Sequence, residues 1–418
     1  MSLFVRMPAV LALLCASALV FSGCAGAAHD AATSHALVAV ETDDRVEGVA
    51  LPRFQVDASW PRLPEHVAIG QVSGLDVDSE DNVWILQRPN SLGAVDIGLA
   101  AEPPIAVCCR PGPNVMQFSA AGEYLSGFGG PEIAPDIDGV NQWPVNVHGL
   151  HLDAAGNVWI AGNGDDDHVV LNFTREGEFI RQFGRRGATA GNLDTATLGN
   201  PADIDFNAET GEVLIADGYI NKRIMGFSAE EGAFTRYFGA YAERPDAPTR
   251  EGAFSQSQAT SNTDGGANPS SPMFGDIVHC VVRADDGRIY VCDRRNNRVQ
   301  VFETNAAGET VFLQDIVIAP DTGGTRTASD VAFSPDGQFV YIADMMNGRV
   351  WILARDTYEI LGAFGRNGRY PGQFTWLHSI ETDSAGNIYT TEVGTGRRVQ
   401  KFVFMGMETT SASADGAG

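Results

Sequence analysis

The sequence predicts an all-β fold, a six-bladed β-propeller, because one short strand-rich unit recurs through it without any helical periodicity. In residues 148–160 and 378–390, an alternating apolar strand passes through Asp-x-x-Gly-Asn into a second, β-branched and aromatic strand. A third strand follows, and a fourth often ends in Phe-Gly. Four strands per unit favour radial blades over a sandwich. Six units are present, which begin near Val72, Val147, Ala202, Val278, Ser329 and Leu377.

We expect the propeller to span residues 53–405 and to close into a ring. The sixth unit lacks a fourth strand, and residues 54–60 at the start of the domain can supply it. Pairing both chain ends in one blade would leave no exposed sheet edge. The remaining tail, residues 406–418, is small and polar and is expected to be disordered.

The N-terminus predicts export and a lipid anchor. Arg6 precedes an apolar run over residues 8–21, and Cys24 then follows Ser-Gly, which is similar to a bacterial lipobox. The resemblance implies a signal peptide at 1–23, a lipidated Cys24 and a flexible tether over 24–52. The apolar run is shorter than the roughly 20 residues that a membrane span needs. We expect a secreted protein held by its lipid alone, on the outer membrane facing the periplasm; an ordinary secretory signal is the alternative.

Composition limits the partners. A formal net charge of -25 repels nucleic acid, which is therefore excluded as a partner, and we expect a monomer. In an oxidising compartment Cys280 and Cys292, which flank a turn, are placed to bond across a hairpin. Inert thiols are the alternative for this pair, and also for the adjacent Cys108 and Cys109, which could bond only with strain.

Three histidines occupy alternate units at one equivalent position. Aligning the six inner strands gives Ser73, His148, Ala202, His279, Ser329 and His378 at that position. The inner strands of a propeller line its central channel, so these three imidazoles should converge at one depth. Three neutral imidazoles suit zinc and leave an open coordination position for water or substrate. The alternative is that they line the channel and bond to water or to a neighbouring blade.

The entries to the third strands repeat as Asp-(x)n-Asn-x-Arg at 217–223, 293–298 and 344–349. With the turn and Phe-Gly signals, this pattern resembles the NHL-repeat propellers; the aspartates and arginines are expected to fix loops. A closer resemblance is to the amidating lyase domain of peptide-amidating enzymes, peptidyl-α-hydroxyglycine α-amidating lyase. The matching stretches lie at 70–74, 147–150, 216–221, 278–280, 292–296 and 373–378.

This resemblance implies a zinc held by His148, His279 and His378, as the histidine pattern also suggests. It further implies an active-site tyrosine at Tyr219 and two substrate-binding arginines at Arg88 and Arg294. The implied reaction breaks the carbon–nitrogen bond of an α-hydroxyglycine carbinolamide and releases glyoxylate. Zinc would polarise the hydroxyl oxygen, the tyrosine would take its proton, and the arginines would grip the carboxylate. The expected substrate is a small carboxylated compound or peptide at the channel mouth.

The sequence departs from that family at two positions. Trp376 replaces a methionine two residues before the last histidine and should reshape the pocket. The family also holds a structural calcium through backbone carbonyls that match Val72 and Leu150, together with an aspartate that is Ser379 here. Serine brings no charge, which argues against calcium.

Two other functions stay open on the sequence alone. The chain could be a non-catalytic envelope propeller that binds a protein or carbohydrate, since a fold does not fix a function. A calcium-dependent lactonase would need Asp, Glu and Asn in the channel, which three histidines disfavour.

Overall fold

The computed structural model describes residues 37–245, 269–319 and 326–409. Within them, six antiparallel sheets of at least four strands follow one another along the chain, as predicted. Each inner strand contacts the inner strands of the two neighbouring sheets, and the sixth contacts the first. The protein is therefore a closed six-bladed β-propeller.

The first three blades have four strands each. Blade 1 consists of Gln71–Val77, Val83–Arg88, Val115–Phe118 and Tyr124–Phe128. Blade 2 consists of Val147–Leu152, Val158–Gly162, Val169–Phe173 and Phe179–Gly184. Blade 3 consists of Asp203–Asn207, Glu212–Asp217, Arg223–Ser228 and Phe234–Phe238.

Blades 5 and 6 each gain strands from the N-terminal part of the chain. Blade 4 consists of Val278–Arg283, Ile289–Asp293, Arg298–Thr304 and Thr310–Val317. Blade 5 consists of Asp330–Phe333, Phe339–Asp344, Arg349–Ala354, Ile360–Phe364 and Thr42–Asp43. Blade 6 consists of Leu377–Thr382, Ile388–Glu392, Arg398–Thr409, Ala50–Asp57 and Leu37–Ala39.

The connections contain short elements only. Two-stranded pairs form between Val67–Ala68 and Arg110–Pro111 and between Asp136–Ile137 and Val140–Asn141. The 3-10 turns are Pro89–Ser91, Gly98–Ala100, Pro131–Ile133, Ala240–Ala242 and Arg294–Asn296. In the part of the chain that the structure describes, no helix is long and apolar enough to cross a membrane.

The ring closes through the predicted N-terminal strand. Ala50–Asp57 pairs antiparallel with Arg398–Thr409, with Phe54 opposite Phe404. This pairing supplies the fourth strand of blade 6, as the sequence predicts, and leaves the first and last parts of the domain hydrogen-bonded to each other.

The described domain extends beyond both predicted bounds. Residues 37–49, expected to be tether, place Leu37–Ala39 at the edge of blade 6 and Thr42–Asp43 at the edge of blade 5. The last strand continues to Thr409. The N-terminal pairings are too short to show a period, although Val40 packs on the core between blades 5 and 6. Cys24 and the signal segment lie outside the described residues, as does the tail from 410.

The repeated turn motif ties the first hairpins of blades 1, 2 and 6 to the core. Asp153 accepts backbone N–H bonds from Ala155 and Asn157, and its other oxygen accepts from Trp159 Nε1 at 3.1 Å. Asp78 and Asp383 make the equivalent bonds in blades 1 and 6. The motif recurs because one carboxylate closes an Asx-type turn and holds a buried aromatic ring.

The aspartates that enter the third strands fix loops, as expected, although in blade 5 Asp344 bonds to Asn347 while Arg349 pairs with Asp44. Asp217 pairs with Arg223 and Asp293 with Arg298, each at 2.9 Å and with both side chains fully buried. Cys280 and Cys292 form a disulfide across the first hairpin of blade 4.

Candidate metal centre

The three predicted histidines meet in the central channel. His148, His279 and His378 each stand second in the inner strand of blades 2, 4 and 6. Each of these strands carries a β-bulge at the histidine, whereas the inner strands of blades 3 and 5 pair regularly. A bulge re-aims the side chain that it carries. The inner strand of blade 1 has the same irregularity at Ser73, so the bulges, which the sequence did not reveal, do not by themselves mark the histidine blades.

The imidazoles form a nearly equilateral triangle. Their ring centroids are 4.7 to 4.9 Å apart, and one nitrogen from each lies within 4.8 Å of the others. All three side chains are buried. His279 Nε2 and His378 Nε2 are 3.2 Å apart. Burial and this convergence make the triangle the described group best arranged to hold a metal ion.

The next blade fixes the orientation of each ring. His148 Nδ1 donates to the Ala202 carbonyl at 2.7 Å, and His279 Nδ1 donates to the Ser329 carbonyl at 2.6 Å. A carbonyl oxygen only accepts, so Nδ1 carries the proton and the Nε2 lone pair is left for a ligand. The residues that accept these bonds, Ala202 in blade 3 and Ser329 in blade 5, have small side chains beside the neighbouring imidazoles.

His378 follows the same rule with an added hydroxyl. Its imidazole hydrogen-bonds to the backbone of Ser73, and Nδ1 lies 3.4 Å from Ser379 Oγ. Ser379 Oγ in turn donates to the Ser73 carbonyl at 3.2 Å. Ser379 thus takes part in orienting the third imidazole.

The surroundings keep the three imidazoles neutral. Burial lowers the pKa of all three well below the usual value, and the nearby Arg88 and Arg294 guanidiniums lower the pKa of His148 and His378 further. For His279, Arg294 and the two other imidazoles add to burial. Neutral imidazole is the form that binds a metal.

The donor set fits a transition metal. Zinc–nitrogen bonds of about 2.0–2.1 Å at tetrahedral angles place ligand nitrogens about 3.3 Å apart, close to the His279–His378 separation. Three imidazoles also suit copper, nickel or iron, so the geometry defines the class of ion rather than its identity.

Tyr219 lies directly against this centre. Its hydroxyl is 2.7 Å from His148 Nε2, and Arg294 donates a hydrogen bond to the phenolic oxygen. The backbone N–H of Tyr219 donates to Asn200 O at 3.2 Å, which fixes the loop that carries it. The preceding Gly218 packs so closely on Val278 that a Cβ would overlap its carbonyl.

The two predicted arginines flank the same centre. Arg88 Nε donates to the carbonyl of Val147 at 2.8 Å, and burial lowers the pKa of Arg88 to about 10. Arg294 is buried, and its Nε has no hydrogen-bond partner among the described residues. Both arginines interact electrostatically with Tyr219. The structure therefore brings together every residue that the family resemblance assigned to catalysis.

Sequence reasoning missed two further arginines near Tyr219. Arg295 follows Arg294 in the same turn, and burial, aided by neighbouring arginines, lowers its pKa to about 9. Arg326 stands over the Trp376 ring, with its guanidinium carbon 5.1 Å from the ring centre. Arg326 lies in a connection between blades, where no repeat signal marks it.

The predicted calcium residues also lie at this level. Val72 and Leu150 are buried in the inner strands of blades 1 and 2. Where the family has an aspartate, the Ser379 hydroxyl is hydrogen-bonded to Ser73 O. Among these three residues there is no carboxylate to balance a calcium ion.

A cavity of about 340 Å³ lies in the central channel. Its lining runs from the three histidines to the hairpin turns that follow the inner strands. Its wall carries a ring of half-buried carboxylates that no motif in the sequence marks: Asp76, Asp203, Asp330 and Glu381. Burial raises the pKa of Asp203 to about 7 and that of Glu381 to about 8. The three aspartates accept N–H bonds from the next blade, so they link neighbouring blades.

The fold and the site define a class: a six-bladed propeller with a buried three-histidine centre in its channel. The chain is similar to NHL repeat-containing protein 3 of Homo sapiens, with 22% identity over 84% of both proteins. It is also similar to Peptidyl-alpha-hydroxyglycine alpha-amidating lyase 2 of Drosophila melanogaster, with 24% identity over 88% of this chain and 80% of that protein. These relatives confirm, at low identity, the resemblance to NHL-repeat and amidating-lyase propellers.

Two further comparisons concern the fold. Residues 244–382 match the family described as Lactonase, 7-bladed beta-propeller, although the described chain forms six blades. A solved structure titled Streptogramin B lyase structure is similar with a TM-score of 0.46 and 10% identity, covering 85% of this chain and 98% of that one.

Proposed function

We propose that this protein is a zinc-dependent lyase that cleaves the carbon–nitrogen bond of an α-hydroxyglycine-type carbinolamide. The observation that carries the proposal is the contact of Tyr219 Oη with His148 Nε2 at 2.7 Å, with Arg294 donating to the same oxygen. Tyr219 thus contacts both a histidine of the triangle and an arginine. The hydroxyl can transfer a proton, and the arginine can bind a carboxylate. The named activity of the Drosophila relative supports the same chemistry.

The residues divide the reaction among them. Arg88 and Arg294 bind the carboxylate of R–CO–NH–CH(OH)–COO⁻, which orients the carbinol carbon beside the histidines. With Tyr219 acting as the phenolate, its Oη takes the hydroxyl proton, the carbon–oxygen bond becomes double, and the carbon–nitrogen bond breaks with its electron pair on nitrogen. Tyr219 returns the proton to that nitrogen, so the products are an amide and glyoxylate and no water is consumed. When bound, zinc supplies Lewis-acid polarisation of the hydroxyl oxygen.

Glyoxylate release tests this proposal. The purified protein, loaded with zinc, is incubated with an N-acyl-α-hydroxyglycine, and glyoxylate and amide are quantified together. We expect equimolar products from the wild type and none above background from His279→Ala. A zinc-loaded wild type that releases no glyoxylate would contradict the lyase and favour a propeller that only binds a protein or carbohydrate.

We further propose that the protein is an envelope lipoprotein, anchored through Cys24 and acting as a monomer in the periplasm. The apolar segment at 8–21 and the Ser-Gly-Cys sequence support this location. Cys24→Ser should move the protein from the membrane fraction to the soluble fraction. An unchanged membrane fraction would refute the lipid anchor.

A further inference from the structure

A second cavity, of about 270 Å³, has two wall residues that contact arginines of the candidate site. Its apolar walls are formed by Met345, Met346, Phe374 and Trp376. Arg294 Nη1 lies 3.9 Å from Met345 Sδ. The Arg326 guanidinium covers the Trp376 ring. Two walls of the cavity are therefore in contact with the cationic groups around Tyr219.

Trp376 is held in a strained conformation at this wall. Its φ is +61°, a left-handed value that is rare for a bulky residue. The Trp376 carbonyl accepts from the Val393 N–H at 3.1 Å, and a Cβ on Gly394 would lie 3.0 Å from the ring. Because Trp376 stands two residues before His378, the surroundings fix this wall relative to the metal centre.

We infer that this cavity is the subsite for an apolar acyl group of the substrate, with Met346 and Trp376 determining specificity. The inference rests on the proposed function, because the arginines would hold the carboxylate at the other end of the same molecule. The volume is sufficient, since an apolar protein cavity of about 150 Å³ accommodates benzene. Few polar groups line it, so a bulky apolar group should be preferred to a small one.

Two matched pairs of compounds test the subsite. The substrates are N-benzoyl-α-hydroxyglycine and N-acetyl-α-hydroxyglycine, and the unreactive analogues are N-benzoylglycine and N-acetylglycine, whose binding is measured by calorimetry. Met346→Trp fills the cavity from a position that is 40% exposed, so the variant should fold. Met407→Trp, at 46% exposure on the outer part of blade 6, is the matched control.

We expect the wild type and Met407→Trp to favour both benzoyl compounds by about tenfold or more. Met346→Trp should lose this preference. Equal binding of both analogues by the wild type, or an unchanged preference in Met346→Trp, would overturn the subsite. If neither substrate released glyoxylate but Met346→Trp abolished benzoylglycine binding, the subsite would stand and the proposed lyase would fail.

Discussion

Replacing Tyr219 with phenylalanine removes one oxygen atom from the centre of the proposed site. That oxygen lies 2.7 Å from His148 Nε2 and accepts a hydrogen bond from Arg294, in a side chain that is 3% exposed. Leaving a buried donor without its acceptor costs about 1–3 kcal/mol, so the free energy of unfolding should fall by that amount. Loss of a general acid–base group typically lowers a rate by about 10²–10⁴-fold.

Glyoxylate release under saturating substrate measures the effect on turnover, and the zinc content is measured on the same samples. Tyr219→Phe should lose activity by this factor and keep its metal, because all three imidazoles remain. Tyr237→Phe is the matched control, since Tyr237 lies in the outer strand of blade 3 and contacts Phe234. An unchanged rate in Tyr219→Phe would refute the proton-transfer role.

Two further predictions concern stability. The pKa of Glu381 is raised from 4.5 to about 8, first by burial and then by Asp76 and Asp203. Between these two pH values the carboxyl group ionises in the unfolded chain but stays protonated in the folded one. The free energy of unfolding of the wild type should therefore fall as the pH rises from about 4.5 to about 8. Glu381→Gln cannot ionise, so its stability relative to the wild type should increase between pH 5 and pH 8, as measured by thermal unfolding. Identical pH profiles for the two proteins would contradict the raised pKa of Glu381. Asp217→Asn leaves the fully buried Arg223 facing a neutral amide, which should cost roughly 3–5 kcal/mol in urea unfolding. An unchanged unfolding midpoint would show that this ion pair contributes little.

The sequence predicted the fold because its signals are local and repeated. Two units carry the Asp-x-x-Gly-Asn turn and the others a related turn between two strands, so the six units could be counted and aligned without knowing any contact. The alignment then predicted that His148, His279 and His378 share one depth in the channel, because a closed ring converts equivalent positions into neighbours.

Other features depend on contacts that no local pattern encodes. Arg326 reaches the site from an irregular connection, and the strand Leu37–Ala39 joins blade 6 through a pairing of only three residues. The bulges at the histidines follow from how neighbouring strands pair, which leaves no separate mark in the sequence. Ser379 was identified as a loss of charge, whereas the structure adds its hydrogen bond to the Ser73 carbonyl.

The metal content per chain tests the central claim most directly. Purified protein is incubated with zinc, dialysed and analysed by mass spectrometry for all first-row transition metals, in parallel with His148→Ala and with His66→Ala, whose imidazole is about half exposed and outside the triangle. We predict one zinc per chain in the wild type and in His66→Ala, and a loss of metal in His148→Ala. A wild type that holds no metal after zinc is supplied would contradict the metal centre and the lyase that depends on it.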